Sequence, residues 1–124
     1  MQDEPTPTEL IKAVADFLRN EIMPQIKGHN AFKLRVGINA LDLVTRQLTL
    51  QGASDNAEMA RLKGLLGKDG SLDDLNRELS SRIASGEADL QTPGLAEHLW
   101  QTTLAKLAVD QPNYASYKRE AGTK

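Results

Sequence analysis

Cysteine is absent from the 124 residues, so no disulfide, thiolate nucleophile, iron-sulfur cluster or cysteine-ligated zinc can form. Aromatic side chains are scarce: one Trp, two Tyr and two Phe, too few to interleave with basic residues as a base-stacking surface requires. Charge of one sign is also missing. Fifteen Lys and Arg stand against 17 Asp and Glu, a formal balance of -2, whereas coating nucleic acid or an anionic membrane needs a net basic surface. No uninterrupted apolar run approaches the roughly 18 to 20 residues of a membrane span. The segment from Met1 to Glu9 carries Asp3, Glu4 and Glu9 and lacks the basic and apolar regions of a secretory signal. A soluble, cytoplasmic chain without nucleic-acid or membrane partners is the expectation. At this length folding buries about two-thirds of the unfolded surface, enough for a core without metal support.

What is present reads at the helical period. Thr6 before Pro7, with Glu9 three residues on, predicts an N-cap and capping box. Leu10, Ile11, Val14, Phe17, Leu18 and Ile22 then form one apolar face until Pro24 ends or kinks the helix near Met23. A second, central helix is expected from about Asn30 to Leu50, with apolar residues over about two-thirds of its circumference. Gly37 inside it suggests a close helix crossing. A third helix is expected over Asn56 to Leu66 with Ser54 or Asp55 as cap, and a fourth from Ser71 to the stop at Gly86. Thr92 and Pro93 predict the start of a fifth, which Pro112 stops after about Gln111. These elements describe one all-α domain over residues 1–124, a bundle of about five helices with a long central helix two, frayed at 1–5 and 119–124. Tyr114 and Tyr117 in the tail suggest a chain reversal onto the bundle.

Sequences that imitate known sites fail on register. Around Gly64, Gly67, Lys68 and Gly70 a phosphate loop would need Gly at Leu62 and Ser or Thr at Asp69. Asp69, Ser71 and Asp73 begin like a calcium loop, yet its sixth position holds Asp74 and its twelfth Ser80. Ser71 and Asp74 fit better as a capping pair. His29 and His98 are the only histidines and lack carboxylates at metal-ligand spacing; His98 is read as a packed or half-exposed helix residue. No serine sits in a nucleophile elbow. Neither a metal, a cofactor nor catalytic residues are expected, and catalysis has no support in the sequence.

One polar stripe on the central helix stands out: Arg35, Asn39, Asp42 and Arg46 lie within roughly 60° of one another. It is either a solvated strip with an Asp42–Arg46 pair, or a groove where Arg35 and Arg46 take a carboxylate or phosphate and Asn39 adds directional hydrogen bonds. If the tail packs nearby, Lys106 and Tyr114 complete such a pocket.

Several segments carry a family resemblance: Pro5 to Glu9 with Leu10 and Phe17; Phe32, Arg35, Val36, Asn39, Ala40, Leu41, Val44, Arg46 and Leu48; Leu75-Asn76-Arg77; and Leu104 to Pro112 with Tyr114. Over nearly the whole chain these resemble a family of small bacterial domains of unknown function. Its members are typically encoded beside aminoglycoside-phosphotransferase-like kinases and acyl-CoA dehydrogenases. The resemblance implies a noncatalytic accessory or interaction domain near acyl-CoA or related catabolism, with such a kinase or dehydrogenase as partner. A homodimer is compatible with the broad apolar arc of the central helix. The alternative function is a binder of a small anionic metabolite, or a weak enzyme, using Arg35, Asn39 and Arg46.

Overall fold

The computed structural model describes residues 4–122, all helix, turn and coil, with no strand among them. Five α-helices follow in order: α1 Pro7–Phe17, α2 His29–Leu66, α3 Leu72–Ser85, α4 Leu95–Asp110 and α5 Ala115–Glu120. The all-α class is as the periodicity indicates. Contacts divide the chain into two compact units, Met1–Leu50 and Gln51–Lys124.

In the first unit the capping box forms as spelled. Thr6 Oγ1 accepts the Glu9 N–H at 3.2 Å, and Glu9 Oε1 accepts the Thr6 N–H at 3.4 Å. The helix does not continue regularly to Met23. After Phe17 it loosens into a π turn, Leu18–Ile22, and then a 3₁₀ turn, Met23–Gln25. Pro24 explains this, since it offers no N–H to the carbonyl four residues earlier and its ring crowds that carbonyl. Arg19 in the π turn bonds to Asp42 on α2 and to Asp16 on α1, the latter at 3.1 Å. Among the described residues of this unit, Ala15 and Ile38 are buried.

The expected break between a second and a third helix is absent: α2 is one helix of 38 residues. Gly52, Ser54, Asp55 and Asn56 are poor helix formers, but each keeps its N–H, and no proline occurs between Pro24 and Pro93. Extending a formed helix across weak residues costs about 1 kcal/mol at the Gly, less than stopping and nucleating again. Thr45 and Thr49 tie their hydroxyls to the Leu41 and Thr45 carbonyls at 3.0 and 2.8 Å. Nor does Gly37 mark a close crossing, because nothing lies within 4 Å of where its Cβ would sit.

In the second unit, Leu62 and Leu66 from α2, Leu75 and Leu79 from α3, Ala88 from the loop and Leu95 from α4 form one core, with Met59 and Leu72 packed against it. Ser71 caps α3 by accepting the Asp74 N–H at 3.0 Å, and Asp73 and Asp74 sit favourably against the helix dipole. Gly86, at φ 86°, ends that helix in the left-handed conformation. Ser71→Ala should lower stability by about 1 kcal/mol while Ser71→Asp holds it; urea denaturation followed by circular dichroism measures both.

The start of α4 departs from expectation. The Thr92 hydroxyl accepts from the Asp89 N–H at 3.0 Å, facing back into the loop, and Gly94, at φ 86°, takes the cap position. Pro112 does stop this helix, and the chain reverses into α5. Of the ends expected to fray, residues 1–3 and 123–124 lie outside the described residues, while Arg119 and Glu120 belong to α5.

Candidate functional site

Along the second part of α2, Met59, Leu62 and Leu66 turn toward the core, leaving Arg61 at the edge of that face. On α4, His98 and Thr102 are four residues apart and therefore lie on one side of the helix. Arg61 joins them. Its Nε donates to His98 Nδ1 at 3.0 Å, and its Nη2 donates to Thr102 Oγ1 at 3.2 Å. His98 is only 2% exposed. An acceptor role for Nδ1 requires the neutral ring with its proton on Nε2. Burial, followed by the Arg61 charge, holds the imidazole below its ordinary pKa, and Glu58 opposes them. Glu58 is itself held by the Asn76 side-chain amide at 2.9 Å.

Arg61 is thus a half-buried guanidinium bonded to two neutral groups. Among the described residues, no carboxylate comes within 4.0 Å of it to form an ion pair. Two clefts flank it. One, of about 350 Å³, runs between α2 and α4 past Ser54, Ala57, Leu104 and Ala105 to Tyr117 of α5. The other, of about 340 Å³, is bounded by Gly64, Leu65, Pro93, Gly94, Glu97 and His98.

A family model described as a domain of unknown function (DUF6285) matches residues 24–114. The chain belongs to this family. No curated protein and no solved structure matches it. The DUF6285 segment contains Arg61, His98 and Thr102, and leaves α1 and Tyr117 outside.

The residues singled out by sequence fall in different places. Arg35 and Asn39 are exposed on α2 in the Met1–Leu50 unit, and Arg46 is half-buried there. Asp42 bonds to Arg19, a partner 23 residues away that helical spacing along α2 alone does not reveal. Lys106 and Tyr114 belong to the Gln51–Lys124 unit. Lys106 is exposed on α4, and Tyr114 lines a smaller apolar crevice of about 160 Å³ with Trp100, Leu107 and Tyr117. Sequence reasoning missed Arg61 altogether and did not anticipate its bond to His98, which is packed, as one of the two expected readings had it. The available signal was faint: one arginine within an apolar face, and a histidine with a hydroxyl residue four places on. Among the described residues, no three His, Asp or Glu side chains gather as a metal site.

Proposed function

We propose that the chain is a noncatalytic interaction domain that self-associates through its Met1–Leu50 unit. The supporting observation is a set of large apolar side chains left in water. On α1 these are Leu10, Val14 and Phe17; on α2 they are Phe32, Val36, Val44 and Leu48, with Phe32 at 59% exposure. Phe32, Val36 and Val44 lie on the side of α2 away from the buried Ile38, so α2 is apolar on two sides. Scattered apolar residues need no explanation, but a set concentrated on two consecutive helices marks an interaction surface.

A second copy is the occupant that fits. Across the two helices, seven side chains with about half of their roughly 150–200 Å² in water leave on the order of 600 Å² of apolar surface uncovered, on the scale of what a standard interface takes from each partner. Two-fold pairing lets the exposed sides of the same helices cover one another, and each copy supplies the same apolar residues to its partner.

Light scattering coupled to size exclusion should give twice the chain mass. Phe17→Asp with Val36→Asp should weaken association at least about a hundredfold and give monomers of unchanged helicity, since both positions are exposed. A wild-type monomer at micromolar concentration would overturn self-association. In that event the kinase and the acyl-CoA dehydrogenase implied by the family resemblance become the partners for a binding assay, and capture by either would give the same face a different occupant. The proposed link to acyl-CoA metabolism rests on that resemblance alone.

A further inference from the structure

We infer that the cleft between α2 and α4 binds a small organic anion, a carboxylate or phosphate group on a short apolar tail, with the charged group on Arg61. The site lies wholly within the Gln51–Lys124 unit and does not depend on self-association of the other unit.

Arg61 carries the inference first. A half-buried positive charge normally gains a carboxylate partner, yet this one has none among the described residues and is fixed instead by His98 and Thr102. Those two bonds use Nε and one Nη2 hydrogen, and so hold the guanidinium plane before any ligand arrives. Of the remaining three N–H groups, one on each Nη forms the end-on pair that matches a carboxylate or phosphate. His98 suits the role of anchor because it is neutral: a carboxylate there would cancel the charge, and a second cation would expel the arginine.

The walls choose between the two clefts. Glu97 borders the smaller one and repels an anion. Among the described residues no acid lines the larger one, which is bounded by Ala57, Leu104 and Ala105 together with Ser54, Gln101 and Tyr117. The space, about 350 Å³ and largely open to solvent, admits a ligand of a few carbons.

The test uses three probes on the full chain labelled with nitrogen-15: hexanoate, hexyl phosphate and hexanol, each titrated while backbone amides are followed by NMR. One or both anions should give saturable shifts centred on residues 54–61 and 101–108, with hexanol at least about tenfold weaker. Whichever anion binds more tightly names the headgroup. Arg61→Gln should weaken anion binding at least about tenfold, and Ala57→Leu, at an exposed helical position one turn before Arg61, should do the same by occupying the space beside it. Saturation should also raise the His98 pKa, because the anion offsets the Arg61 charge that depresses it while Glu58 and Glu97 stay as they are. Hexanol binding as tightly as the anions would reduce the cleft to an apolar crevice. No saturable shift at millimolar anion, or shifts confined to other residues, would overturn the inference, as would unchanged binding in both variants. Should Arg61→Gln fail to fold, the Ala57→Leu titration and the hexanol comparison decide.

Discussion

Leu62→Ala should lower the stability of the Gln51–Lys124 unit by about 3 kcal/mol, a large share of the roughly 5–15 kcal/mol that holds a domain together. Leu62 is 0% exposed and sits within the cluster shared by α2, α3 and α4. Truncation removes both its transfer free energy and the contacts of the side chains around it, and helices held on three sides cannot close fully over the void. With a urea dependence of about 1–3 kcal/mol per molar, the midpoint should fall by one molar or more. Leu90→Ala is the natural control. Leu90 is 77% exposed, and its loss should change stability by no more than about 0.5 kcal/mol. Equal midpoints for the two variants would mean that the α2–α3–α4 cluster is not the cooperative core.

Much of this core is legible in the sequence. Leu62, Leu66, Leu75, Leu79 and Leu95 recur at helical spacing, and the caps at Thr6 and Ser71 and the stop at Gly86 follow from local hydrogen bonding that each residue type can make alone. Errors arose where a local signal competes with a longer-range one. Ser54 and Asp55 are good caps, but a cap acts only where the helix is already interrupted, and nothing between Leu50 and Asn56 removes a backbone N–H. Thr92 is likewise a good cap, diverted because Asp89 lies close enough to claim its hydroxyl.

The candidate sites show the same limit more sharply. Helical spacing groups Arg35, Asn39, Asp42 and Arg46 because they share one helix, and to that extent the stripe was readable. Arg61 and His98 are 37 residues apart, and only the packing of α2 and α4 brings them within 3.0 Å. No periodicity encodes that meeting. A buried histidine beside an arginine is informative once seen, because it holds a neutral imidazole as acceptor against a guanidinium that stays charged.

That pairing gives the second large effect, a loss of stability on mild acidification. Folded His98 has its pKa below the ordinary 6.5 that the unfolded chain restores. As pH falls below about 6.5 the unfolded chain therefore takes up the proton first, and unfolding is favoured. The stabilisation is fully present above 6.5, declines as pH falls through the interval down to the folded pKa, and then levels off. Carboxylates act in a separate window. Glu78 is held low by Arg82 and Lys68, Asp16 chiefly by Lys12, and Asp69 chiefly by Lys63; their contributions are lost only as pH falls through and below the ordinary values of 4.5 and 3.8. His98→Leu separates the two. It removes the acceptor for Arg61 Nε, so at pH 8 it should already be less stable than wild type by about 1–3 kcal/mol. Between pH 7 and pH 5, however, the wild-type melting temperature should fall more steeply than that of the variant, so that the gap between them narrows. Melting curves at half-unit intervals measure both effects. A wild-type slope that persists unchanged in His98→Leu would place the titrating group elsewhere, and an undiminished melting temperature at pH 8 would mean that the Arg61–His98 bond contributes nothing to the fold.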